Sequence, residues 1–292
     1  MSATQTSNAK CPVISIANMK GGVGKSTIVI QATFAYSSEK YRFPDDRKIL
    51  VVDMDPQGNS STRLMRRTDL TQLEGTRTYE LFSENLDEIK PARTPCGADL
   101  IFSLQNDGKL DDIELQPMDI FLNPIKHIAD LANSGRYAAI ILDCPPSRSR
   151  KFTAALSCAT DVIVPVEVSG FATDALSGIM ESIEIASEVN PAVQLTGVVI
   201  NKFNSRSKRH KQERDTLISV LGDKVFEQPL VNRAPVDEAN AEGIPVSKIT
   251  SGAGRAASKE VEKICNEIAQ RCGIEILKGK KPKSSPAKAK RD

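Results

Sequence analysis

Short, unbroken apolar runs recur along this chain at residues 13–17, 49–52, 98–103, 138–142, 162–166 and 195–200. An unbroken run, unlike an alternating one, suits a strand covered on both faces, as in a parallel sheet. The stretches between them change period. In 25–40, Ile28, Gln31, Ala32 and Ala35 fall on one helical face, and 121–134, 171–189, 207–221 and 255–271 read as further helices. Strands alternating with helices predict an α/β fold, a doubly wound and mostly parallel sheet with helices on both faces. Residues 66–97 keep neither period and are expected as an excursion on one edge of the sheet.

Composition bounds this picture. A chain of 292 residues with 40% hydrophobic and 26% charged residues suits one soluble α/β domain, placed at 12–275. Residues 1–11 and the Lys-, Pro-, Ser- and Ala-rich 276–292 offer nothing to bury and are expected to be disordered. There is no secretory apolar segment and no run long enough to span a bilayer, so a cytoplasmic protein is expected. The tail also lacks the apolar face of a membrane-lying helix, which excludes a membrane partner. Six scattered cysteines without a C-x-x-C pair, and only two histidines, argue against a metal-cluster or His-based zinc site. The net charge of +2 resides in the tail, where 278–292 hold seven Lys/Arg against one Asp. The body is slightly acidic, so any polyanion must be met by local patches.

Candidate chemistry gathers where the strands end. The first runs into Lys20-Gly21-Gly22-Val23-Gly24-Lys25-Ser26-Thr27, a phosphate loop with Met19 where the usual leading glycine would stand. Its glycines let backbone N–H groups turn toward phosphate oxygens, and the helix opening at Lys25 adds its positive end. Lys25 is expected on the β- and γ-phosphates and Ser26 on Mg²⁺. The second strand ends in Asp53-Met54-Asp55, placing two carboxylates in the ligand crevice, one to hold a metal and one to orient a nucleophile. The third ends in Asp143, the Walker B position for Mg²⁺, followed by the stiff turn Cys144-Pro145-Pro146-Ser147.

Together, KGGVGKST, VVDMDPQGN and IILDCPPS resemble the ParA/MinD family of deviant Walker ATPases, specifically its ParA branch, over about residues 12–272. The resemblance implies ATP and Mg²⁺ as cofactors, an ATP-dependent homodimer in which Lys20 crosses to the partner's phosphates, and Asp55 positioning the attacking water. It further implies Asp53 supporting the metal shell and Asn201, in Val198–Lys202, reading the adenine edge. It implies non-specific DNA as a partner, a nucleoid location, and a cargo-bound, ParB-like activator of hydrolysis.

Basic residues cluster at 202–214, and Lys202, Arg206, Lys208, Arg209 and Lys211 are the expected DNA contacts, with Arg233 carried over from the family's arginine in that region. Arg148, Arg150 and Lys151 are expected near a partner surface. Two other readings fit the same core. One is a metal-cluster carrier, against which the scattered cysteines count. The other is a small-molecule P-loop enzyme, which requires a substrate pocket in 66–97.

Overall fold

The computed structural model describes residues 11–168 and 172–277, excluding the side chains of 118 and 172–175. Seven strands form one sheet: β1 Val13–Ile16, β2 Lys48–Asp53, β3 Ala92–Arg93, β4 Asp99–Ile101, β5 Tyr137–Asp143, β6 Asp161–Glu167 and β7 Gln194–Asn201, in the order β3-β4-β2-β5-β1-β6-β7. Every pairing is parallel except β3 with β4. The expected strands are all present. β3 is additional, and it puts the irregular segment on one edge of the sheet, as its lack of period implied.

The helices are α1 Lys25–Tyr36, α2 Asn59–Met65, α3 Lys109–Asp112, α4 Asn123–Asn133, α5 Arg150–Cys158, α6 Ala172–Ser187, α7 Lys208–Leu221, α8 Ala234–Glu242 and α9 Gly252–Cys272. Ser149, Ser207 and Ser251 begin α5, α7 and α9 by accepting from the N–H three residues on. Helices α2, α3, α5 and α8 escape periodicity because each spans too few turns to show a repeating apolar face. Among the described residues, no helix is long and apolar enough to cross a membrane.

Strand side chains alternate between two cores. Leu50, Val52, Ile140, Leu142, Val162 and Val164 pack with α5 and α6. Ile14, Ile16, Ile49, Val51, Ala139 and Ile141 pack with α1, α2, α8 and α9. Both faces of the central strands are therefore dry, which is why their sequences read as unbroken apolar runs. α9 presents Val261, Ile264, Cys265, Ile268 and Cys272 along one buried stripe, and the Tyr36 hydroxyl donates to the Cys265 carbonyl at 2.6 Å. Cys265 and Cys272 are thus core thiols, and burial pushes the Cys265 thiol up to about 12.

The expected tails fall outside the described residues apart from their inner ends. Cys11 is buried, and Leu277 pairs with Arg42 at 2.7 Å, so the packed body extends slightly beyond the 12–275 expected.

Parallel register sets up the site. Asp53 lies opposite Asp143 across β2 and β5, and Asp143 lies opposite Ile16 at the end of β1. The parity of the strands turns both carboxylates toward the α1/α2 layer, directly beside the loop that leaves β1.

Candidate functional site

The loop between β1 and α1 is organised from beneath by two buried asparagines. Asn18 donates to the Pro165 carbonyl (2.8 Å) and accepts from the Lys20 N–H (2.9 Å), which fixes the start of the loop to β6. Asn201, at the end of β7, donates to the Val23 carbonyl at 2.7 Å. Gly24 sits at φ 96° against that amide, and a Cβ there would lie 2.0 Å from Asn201 Nδ2. Both the backbone angle and the close approach therefore require glycine. Asn201, expected to read an adenine edge, is placed here as a strut under the phosphate loop.

The two loop lysines differ sharply. Lys25 is 6% exposed, and its ammonium donates to the Lys20 carbonyl at 3.2 Å. Burial lowers its pKa, while Asp143, Cys144 and Asp55 oppose the shift. Lys20 is exposed, and its ammonium has no partner among the described residues.

The three carboxylates also divide. Asp53 is fully buried. One oxygen accepts from the Ser61 N–H (2.8 Å) and hydroxyl (2.7 Å), and the other accepts from the Asp55 N–H (3.2 Å). Asp53, expected to support a metal shell, thus carries three donors on its carboxylate, two from Ser61 in the first turn of α2 and one from Asp55. Asp143 accepts from the Ser60 hydroxyl at 2.6 Å through Oδ2, while its buried Oδ1 has no hydrogen-bond partner among the described residues. Burial raises Asp143 to about 6, against the Ser60 and Ser26 hydroxyls, which hold it down. An orphaned carboxylate oxygen beside a hydroxyl at the mouth of a phosphate loop fits a hard divalent cation such as Mg²⁺. Asp55 is 6% exposed and accepts from the Gln57 N–H at 3.0 Å, and burial raises its pKa. Its second oxygen has no partner among the described residues.

A family profile described as an AAA domain matches residues 11–195. The chromosome partitioning protein ParA of Caulobacter vibrioides is 29% identical over 245 residues, covering 80% of this chain and 85% of that protein. The chromosome-partitioning ATPase Soj of Treponema pallidum is 27% identical, covering 88% and 96%. Among solved structures, an McdA variant of Cyanothece in an ATP complex superposes with a TM-score of 0.71 at 18% identity, over 93% of this chain and all of that one. The chain belongs to the ParA/MinD family. Its seven-stranded, mostly parallel sheet is that family's α/β fold.

The positions expected to contact DNA are unequal in this ParA/MinD chain. Arg206, just before α7, and Lys208 and Lys211, in its first turn, are exposed and without a side-chain partner among the described residues. Lys202 pairs with Glu167 at 2.7 Å, and Arg209 with Glu213 at 2.8 Å. Arg233 has its partner on another helix. It grips the Glu260 carboxylate of α9 through Nε and Nη2, at 2.8 Å for the shorter contact, and so joins α8 to α9. Behind the Walker B turn, Arg148 pairs with Glu181, Arg150 donates to the Gln116 carbonyl, and buried Lys151 bridges Asp111 and Glu114. Each of the three, expected near a partner surface, thus has a partner within its own chain. Sequence reasoning missed Asn18, Ser60 and Ser61. An N-cap-like Asn-Ser-Ser after Gly58 was the available signal, but it named no partner.

Proposed function

We propose that this protein is a ParA-type ATPase that dimerises on ATP, binds DNA without sequence preference, and segregates or positions a cargo whose partner protein stimulates hydrolysis. ATP and Mg²⁺ are its cofactors. The observation that carries this reading is the division between the two loop lysines: Lys25 is buried within the phosphate loop, while Lys20 is exposed and its ammonium has no partner among the described residues. A cation at the rim of a phosphate site, facing outward, is placed to reach a nucleotide in a second copy, like an arginine finger given in trans. The partitioning roles printed for the ParA and Soj relatives support the cellular side of the proposal.

The chain's own groups then have distinct tasks. Lys25 leaves the Lys20 carbonyl for β- and γ-phosphate oxygens, which satisfy a buried ammonium better than one neutral acceptor. Asp143 and Ser26 would hold Mg²⁺, which when bound would neutralise developing phosphate charge. Asp55, with one oxygen fixed by Gln57, orients a water with the other, so that the water oxygen bonds to the γ-phosphorus as the bond to the ADP oxygen breaks. Asp53 fixes α2 through Ser61 and so keeps Asp55 in place. Arg206, Lys208 and Lys211 meet DNA phosphates.

A small-molecule enzyme on the same core needs a substrate pocket, and a cleft of about 560 Å³ does involve the 66–97 segment through Tyr79, Phe82 and Glu84. None of the phosphate-loop residues or the three carboxylates lines it. The cleft and the phosphate loop thus share no lining residue, so the cleft lends no support to the small-molecule reading. The test is binding of a random-sequence duplex across a salt series with ATP, ADP and no nucleotide. The proposal expects tight, salt-sensitive binding only with ATP; equal binding in all three states contradicts it.

A further inference from the structure

We propose a second DNA-phosphate contact, apart from α7, in the arginine cleft between α2 and α8; it rests on the DNA-binding reading above and assigns it an additional surface. The cleft is about 350 Å³ and is lined by Arg63, Arg66 and Arg67 together with Thr62 and Gln105, with Glu242 as its only carboxylate. Arg63 lies in the last turn of α2, and Arg66 and Arg67 follow directly after the helix, so the three side chains line the same cleft. None of the three has an ion-pair partner among the described residues.

Two of these guanidiniums are aimed by the backbone. Arg63 Nη1 donates to the Ala241 carbonyl and Arg66 Nε to the Gly243 carbonyl, each at 2.8 Å. A neutral carbonyl orients a guanidinium and leaves its charge and remaining N–H groups available. The helices meet closely at this point. A Cβ on Gly243 would lie 2.4 Å from the Arg63 carbonyl, and Gly243 has φ 63°, so the seam depends on glycine. Arg66 itself adopts φ 53°, a left-handed cap position usually taken by glycine or asparagine. Holding an arginine there at a cost in backbone energy suggests that the charge is needed at that spot.

The lining indicates the ligand class. Hydroxyl, amide and guanidinium donors suit phosphodiester oxygens. Apart from Ala241 and Gly243 the lining is polar, so there is no apolar pocket to anchor a peptide and no ring on which a base or a free nucleotide stacks. Helix α2 also joins this cleft to the nucleotide site. Its first turn holds Asp143 through Ser60 and Asp53 through Ser61, its last turn carries Arg63, and Arg66 and Arg67 follow it. Seven residues span only about 10 Å, so the cleft lies one short helix away from the carboxylates.

The experiment uses the full chain with Mg·ATP and a random-sequence duplex over a potassium chloride series, comparing wild type with Arg67→Ala and with Arg63→Ala/Arg67→Ala. Arg67 is the cleaner probe because its side chain has no partner among the described residues, and its removal should leave the melting temperature unchanged. The slope of log affinity against log salt should fall by about 1 for the single variant and about 2 for the double. Basal ATP hydrolysis should not change. ATP-gated DNA binding with an unaltered slope overturns the cleft alone. Absence of DNA binding by the wild type in every nucleotide state overturns both the cleft and the reading on which it rests. Weakened ATP affinity with an unaltered DNA slope assigns the arginines to nucleotide phosphates and also overturns the proposal.

Discussion

The strand ends and the outer basic surface of this protein hold charge in opposite ways. At the strand ends, Lys25, Asp53, Asp55 and Asp143 are nearly or fully buried, and each is held by named hydrogen bonds within a few residues of the three motifs. On the surface, charges of one sign lie close together in sequence yet have different fates. Arg206, Lys208 and Lys211 have no side-chain partner among the described residues, Arg209 is tied one turn away, and Arg233 is tied to Glu260 on another helix. Buried charge must be compensated locally, because desolvation makes any unpaired group costly. Exposed charge carries no such requirement, so its partners are set by whichever helices happen to adjoin. Chemistry at the strand ends is therefore concentrated and fixed, whereas the surface divides into residues available to a polyanion and residues that hold the fold together.

The contrast is tested most severely at Lys25. Lys25→Ala removes the buried cation facing Asp55 and Asp143, and ATP affinity should fall by about 100-fold, roughly 3 kcal/mol, by calorimetry. A smaller loss than for Lys20→Ala would reverse the roles assigned to the two lysines.

A second effect concerns stability. Asp143 carries a buried, unpartnered oxygen, so in the metal-free protein Asp143→Asn should stabilise the fold by about 1–3 kcal/mol at pH 7 while abolishing Mg²⁺-dependent hydrolysis. Because burial raises this carboxyl to about 6, the folded wild type binds a proton more tightly than the unfolded chain between the ordinary carboxylate range and that value. Wild-type stability should therefore rise as pH falls through this window, and the variant's advantage should shrink and disappear below about pH 4. Thermal melts from pH 8 to pH 4 measure both trends. An advantage that grows toward low pH contradicts the assignment.

The smallest effects divide the surface. Alanine at Arg206, Lys208 and Lys211 together should weaken DNA binding and lower the salt slope by about 2–3, with little change in melting temperature. Arg233→Ala should do the reverse, costing about 1 kcal/mol in stability through the lost Glu260 grip while leaving the slope unchanged. An equal slope change in both variants removes the distinction between them.

The same contrast explains what the sequence reveals. The phosphate loop and the two strand-end motifs are local words, and parallel register does the rest by placing Asp53, Asp143 and the end of β1 side by side. The fold class is legible because dry strands leave unbroken apolar runs. Helices of few turns, such as α2 and α8, leave no periodic trace, and with them goes the arginine cleft that they enclose. Asp53 illustrates a finer limit. Its position at a strand end is readable, but Ser61 and Ser60 decide that Asp53 caps a helix while Asp143 keeps a free oxygen. The Arg233–Glu260 pair is hidden for the opposite reason, since its members lie 27 residues apart and only packing of α8 on α9 brings them together.

The central claim is that Lys20 makes the ATP state a dimer. Light-scattering mass of Asp55→Ala, in which slow hydrolysis preserves ATP, tests it directly. With Mg·ATP the account predicts twice the monomer mass, and a return to monomer with ADP or when Lys20→Ala is added. A monomer with ATP, or a dimer that persists without Lys20, contradicts it.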